Sequence, residues 1–318
     1  MSVNRMRPVS LVLVALAFIT CSPVVLGQSS VIPGRKLAPD ALVVIEPAAE
    51  WGETAQGPVD LPIGVKNPGL AWTPAYSSSS QTLIEKSKQV VFRGDVYCLE
   101  FAFKPVRMIE TSIKTARGIE KKNVWYLLYR VRYLGGDLKP VPEPDAFNNE
   151  VYGQPKSVSA SWVRFMPTFR LVSLGSNQEY LDQVLPRALK AISDKERVGA
   201  PIYDSLEIQR KKLELSGPGN DKPIWGLATW VGVDPRTDFF QVQIQGLTNA
   251  QQLKLQGENI KYLQKTLVLN FSRPGDTIDE IEDEIRFGVP ALGDPARQDY
   301  ILQQYGLKER LDHLWIYR

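Results

Sequence analysis

Asp234 and Asp238 stand four residues apart around Pro235 in the stretch "WGLATWVGVDPRTDFFQVQIQGLTNA", residues 225–250. Two carboxylates at that spacing could begin a cation site. Calcium asks for six or more oxygens, and this loop offers too few. Asp before Pro is instead a favoured opening of a type I turn, because Pro presets φ and the Asp side chain accepts backbone N–H groups. The residues therefore read as a turn. A second acidic set comprises Asp276, Asp279, Glu280, Glu282, Asp283 and Glu284. It could hold calcium or a basic partner. The other reading, a solvated helix face with Ile278, Ile281 and Ile285 turned inward, has more weight.

The remaining reactive side chains are few. His313 is the only histidine. That argues against zinc sites built from several imidazoles and against HExxH proteases. A Ser-His-Asp triad would have to use His313, yet no Gly-x-Ser-x-Gly motif accompanies it. It reads as a packing or capping residue. Cys98 alternates onto the less apolar face of a strand and reads as a small buried residue rather than a nucleophile. "SGPGND" (216–221) lacks the spacing of a phosphate loop and reads as a turn. A glycosidase pair needs two carboxylates at a defined separation across a cleft, which no spacing among so many acids reveals. No catalytic residue, metal ligand or cofactor is assigned.

What is left is binding. "GGDLKPVPEPDAFNNEVYGQPKSVSA", residues 135–160, reads as a long strandless insertion between two strands. Such loops are functional or disordered, and Phe147 and Tyr152 give this one something to bury. Trp225, on the polar face of its segment, is the third candidate for partner contact.

The elements that would carry these residues follow from periodicity. Alternation over 96–104, 123–136 and 161–173 predicts half-buried strands. In "NVWYLLYRVRYLGG" Trp125, Leu127, Tyr129, Val131 and Tyr133 share one face, with Arg130 and Arg132 opposite. Residues 177–197 switch to helical period, with Pro186 beginning a segment or kinking one. Further strands are expected at 204–215, 265–271, 284–289 and 314–318. Asp294 should cap, and Pro295 open, a helix that Gly306 stops. In the quoted stretch an odd loop at 234–238 makes a hairpin, pairing Trp230 with Val242 and Ala228 with Ile244. Strands divided by turns, with few helices, predict a mainly β chain of one or two β-sandwich-like units. The expected organisation is a first β-rich unit at 83–175, a helical connector at 176–200, and a second β-rich unit at 201–318 with a C-terminal helix and closing strand.

The N-terminal part is different. Arg5 and Arg7 precede an apolar run to Leu26, and Val25 and Gly27 suit cleavage before Gln28, the pattern of an export signal over 1–27. Residues 28–82, rich in proline and ending in four serines, read as an extended arm. "ALVVIE" could form one strand within it, with Trp51 and Trp72 as pegs. The chain carries 38 basic and 35 acidic residues. Removing Arg5 and Arg7 leaves 36 against 35, a net charge of +1. A nearly neutral protein gives no global electrostatic argument for nucleic acid. Cys98 would be the only thiol left, so the fold must rest on its core.

The patterns "VWYLLYRVRY", "FMPTF", "LATWVGVDPRTDFF", "QGLTNA", "LNFSRPGD" and "WIYR" resemble those of exported proteins of unassigned function from planctomycete-type bacteria, over roughly 90–318. The resemblance implies export to the periplasm or beyond, and no site residue. The resulting expectation is an exported, non-catalytic protein that binds or scaffolds an envelope protein or polysaccharide, with no membrane span after cleavage. An envelope hydrolase acting on polysaccharide is the alternative.

Overall fold

The computed structural model describes residues 41–56, 92–116, 118–256, 259–273 and 284–318. The export signal, Trp72 and most of the acidic run lie outside them. The fold is mainly β, with two α-helices among the described residues.

Two large sheets face each other. In the first, the order is Val43–Ile45, Glu100–Phe103, Gly118–Arg132, Ile224–Val231 and Ile202–Tyr203, with Arg107–Thr115 also paired to Gly118–Arg132. In the second, the order is Gln178–Leu181, Thr168–Ser173, Phe239–Gln245, Asn259–Ser272 and Gln251–Gln256. Arg286–Phe287 and His313–Tyr317 also pair with Asn259–Ser272. Each sheet draws strands from both the 83–175 and the 201–318 stretches, so the sheets do not follow that division.

The core between them is aromatic. Trp125, Tyr129, Phe101 and Phe103 from the first sheet meet Phe169, Phe240 and Phe271 from the second in one buried cluster. Tyr129 lies 4.8 Å from Phe169 and Trp125 lies 5.3 Å from Phe240, ring centre to ring centre. Full burial of a side chain of this size stabilises by about 1.5–3 kcal/mol. Gly226 sits opposite Tyr129 in the first sheet. A Cβ there would come within 2.3 Å of the tyrosine ring, so the glycine makes room for the aromatic.

Residues 225–250 do not form a hairpin. Ile224–Val231 pairs with Gly118–Arg132, placing Trp230 opposite Trp125, while Phe239–Gln245 pairs with Thr168–Ser173 and Asn259–Ser272. The chain arches from one sheet to the other through Gly232, whose φ of 75° suits glycine. Trp230, Ala228, Val242 and Ile244 do share the core, but they meet across the sandwich. Alternation fixes which face is inward; a hairpin and an arch satisfy it equally.

"VWYLLY" is apolar on both faces because both are covered. Val124, Tyr126 and Leu128 point away from the main core and pack under the helix Pro186–Glu196 with Ala188 and Ile192. Pro186 opens that helix, and Arg197 closes it in a left-handed conformation at φ 46°. The expected helical period from 177 fails earlier: Gln178–Leu181 is a strand against Thr168–Ser173. Asp182 and Gln183 then cap the open edge of Ile224–Val231, with Thr229 N donating to Asp182 Oδ1 at 2.7 Å and Gln183 N to Thr229 O at 2.8 Å. The helix seats on a buried charge cluster. Glu196 accepts from Lys104 Nζ at 2.9 Å, Arg107 Nη1 at 2.8 Å and Tyr126 Oη at 2.7 Å. The second helix, Pro295–Tyr305, has the expected Asp294 cap and Gly306 stop. The expected strand over 204–215 reduces to a 3-10 turn at Ile208–Arg210 and the strand Leu213–Glu214.

Residues 41–56 belong to the sandwich. Val43–Ile45 pairs with Glu100–Phe103, and Ile45 joins the core. Lys265 Nζ donates to the Ala48 carbonyl and, at 2.5 Å, to Glu53 Oε1, which also accepts from Tyr317 Oη at 2.5 Å. The arm expected over 28–82 is thus structural in this portion. Proline density marks irregular backbone but does not report long-range pairing.

Candidate binding surface

Residues 135–160 are organised as a protruding ribbon, where sequence suggested a strandless loop. Gly135 and Gly136, at φ 71° and 78°, turn the chain out of the first sheet. Asp137–Lys139 pairs with Lys156–Val158, and Pro142–Pro144 pairs with Glu150–Tyr152. The short ladders hide between prolines, which is why periodicity missed them.

Proline also fixes what the ribbon can offer. Asp145 N donates to Asn149 O at 2.9 Å, which makes 145 and 149 a hydrogen-bonded pair. By the two-residue alternation of an antiparallel ladder, Glu143 and Val151 are another, and the missing N–H groups of Pro142 and Pro144 fall on the outer edge. That edge cannot recruit another strand by a full ladder. Contact along that edge must come from side chains.

The tip presents one. Asn148 N donates to Asp145 O at 3.0 Å, and Asn148 follows in the left-handed region at φ 62°, so the three-residue loop is a type I turn closed by an αL residue. Asp145 Oδ1 accepts from Phe147 N and Asn149 N, both at 2.8 Å, and Oδ2 accepts from Asn149 Nδ2 at 3.0 Å. The Asn149 amide, then the backbone N–H groups of Asn149 and Phe147, hold the Asp145 carboxyl below its ordinary range. On this fixed turn Phe147 is 86% exposed. Glu143, Asp145 and Glu150 flank it, and 141–155 holds no Lys or Arg.

The root of the ribbon is fastened to the body. Val96 and Leu138 exchange both backbone hydrogen bonds, at 2.9 and 2.8 Å. Tyr133 Oη donates to Asp137 at 2.6 Å and accepts from Ala160 N at 2.7 Å; burial, then Asp137, pushes its phenol up to about 12. Trp51 Nε1 donates to Gly153 O at 2.7 Å. The Arg93 guanidinium lies 4.3 Å from the Tyr152 ring centre. Of the sequence candidates, Phe147 and Tyr152 therefore share the ribbon, one as its bare tip and the other as a covered anchor. Trp225 is elsewhere, half-buried in the cluster under the first helix.

A second surface was not singled out by sequence. Trp162–Val163 pairs with Leu213–Glu214; Leu213 and Val163 face the core, and Trp162 remains 40% exposed. Lys212 Nζ and the Arg164 guanidinium lie 4.7 and 5.6 Å from the Trp162 ring centre. The basic run in "QRKKLEL" is its only sequence trace.

The reactive groups are placed otherwise. Cys98 is buried and receives Ala48 N at 3.3 Å; burial pushes its thiol up to about 11, which leaves it a poor nucleophile. His313 is exposed at the start of the closing strand, opposite Leu269 in the ladder, and lies outside the core. Asp234 accepts from Arg236 N at 2.9 Å and pairs with the Arg236 guanidinium at 3.1 Å, as a turn residue does. Burial raises the Asp182 carboxyl pKa, and both its oxygens are engaged, by Thr229 N and the Ser205 hydroxyl.

No family model, curated protein or solved structure matches the chain. The surface therefore speaks through its own chemistry. A rigid turn, an exposed phenyl ring and an acidic rim can fill an apolar pocket bordered by cations.

Proposed function

We propose that this is an exported, non-catalytic binding protein of the bacterial envelope, whose contact element is the Phe147 tip of the 137–158 ribbon. The observation that carries the reading is a large apolar side chain left almost bare on a backbone fixed by three hydrogen bonds to Asp145. Surface loops that serve only as connections do not need such a display. A pre-ordered aromatic anchor avoids much of the ordering cost of association. The acidic rim favours a protein pocket with basic borders over an anionic lipid surface.

A photo-crosslinking residue at Ala146, beside the tip, tests this in the native envelope. A discrete adduct is expected with Phe147 present and its loss with Phe147→Ala, at an unchanged melting temperature. Equal adducts in both backgrounds, or none in either, would refute the assignment.

A further inference from the structure

We propose that the tip's partner is a second copy of this chain, which receives Phe147 on its Trp162 surface. The inference rests on the reading of the tip as the contact element and adds the identity of the receiver.

Charge complementarity carries it. The tip has Glu143, Asp145 and Glu150 with no basic residue over 141–155. The Trp162 surface has Arg164 and Lys212 against the indole. Glu214, the cross-strand neighbour of Trp162, is paired with Lys222, so the excess charge there is positive. Each surface thus holds what the other lacks: an aromatic knob with an acidic rim, and an indole floor with cations. They do not satisfy each other within one chain, since Phe147 is almost bare and Trp162 is exposed. Knob and floor are different parts of the molecule, so the contact is head-to-tail. Such contacts build rings or open chains rather than two-fold dimers.

The geometry gives a discriminating experiment. The protein as purified from its host is followed by sedimentation over a range of concentrations at low and high salt. Wild type is expected to form species beyond the dimer, and salt is expected to weaken them, because the complementary charges are exposed. Phe147→Ala loses the knob, and Arg164→Glu with Lys212→Glu loses the floor. Each variant alone should associate at least about tenfold more weakly, the loss expected on removing a hot-spot residue. Mixed, they should form a one-to-one dimer and nothing larger, since only one productive contact is possible. Monomeric wild type, or variants that associate as wild type does, would overturn the proposal. If wild type is monomeric while the Phe147-dependent crosslink from Ala146 persists, the receiver is a different protein and the tip reading stands. If that crosslink is also absent, both fall.

Discussion

The Asp145 carboxylate holds the backbone N–H of Phe147 at 2.8 Å, so the residue that fixes the turn is two positions from the residue the turn displays. Asp145→Ala should loosen the tip and leave the sandwich intact. Amide exchange at Phe147 and Asn149 should accelerate, with no shift in the melting temperature. The Asp145 pKa is lowered in the folded chain, so its contribution is present above the unfolded pKa and fades as pH falls through the folded one. Exchange at these two amides should therefore accelerate, beyond its ordinary pH dependence, only in acid. Unchanged exchange in the variant would show that the turn needs no side-chain support.

Trp230 is fully buried against both sheets, and its loss should be severe. Trp230→Ala is expected to cost about 3–5 kcal/mol, the range for large aromatics deleted from cores. Asp234→Asn should leave the melting temperature unmoved, since asparagine accepts the same Arg236 N–H. Thermal melts of the two variants check both.

How far the sequence could reach is visible in this same segment. Which residues of 125–133 and 225–245 share a face was legible, because period-two alternation is a local property; that the second face of 124–128 is also buried, under the helix Pro186–Glu196, was not. The partner of each strand was not: Trp230 lies opposite Trp125 rather than Val242, a fact encoded only in the arrangement of distant strands. The capped helix at Pro295–Tyr305 was legible because Asp294, Pro295 and Gly306 are local signals. The tip residue Phe147 was visible as an apolar side chain in a proline-rich stretch, but its ordered turn was not. The Trp162 surface was invisible, because residues 162–164 and residue 212 are joined only by the fold.

Glu196 supplies the strongest pH test of stability. Burial pushes its carboxyl upward, but hydrogen bonds from Lys104 and Tyr126 and the charges of Arg107 and Lys104 outweigh that, and its pKa is lowered overall. A lowered folded pKa contributes stability above the unfolded value that is lost as pH falls through the folded one. Glu196→Gln breaks the buried pair with Lys104 and should cost about 3–5 kcal/mol at neutral pH. The gap between variant and wild type should narrow in acid. A constant gap across the acid range would detach Glu196 from the pH response.

Gly226→Ala should destabilise by about 1–3 kcal/mol, the cost of overpacking a filled core, because its Cβ would strike the Tyr129 ring. A denaturant midpoint that does not move would mean that the ring yields without loss.

The central claim is that Phe147 is a contact residue. A fluorinated phenylalanine at position 147, observed by 19F NMR, tests it most directly. In dilute purified protein at high salt the signal should report a solvent-exposed ring. On adding the native envelope fraction at low salt it should shift or broaden, and returning to high salt should reverse the change. A signal that stays at its exposed position throughout would contradict the account.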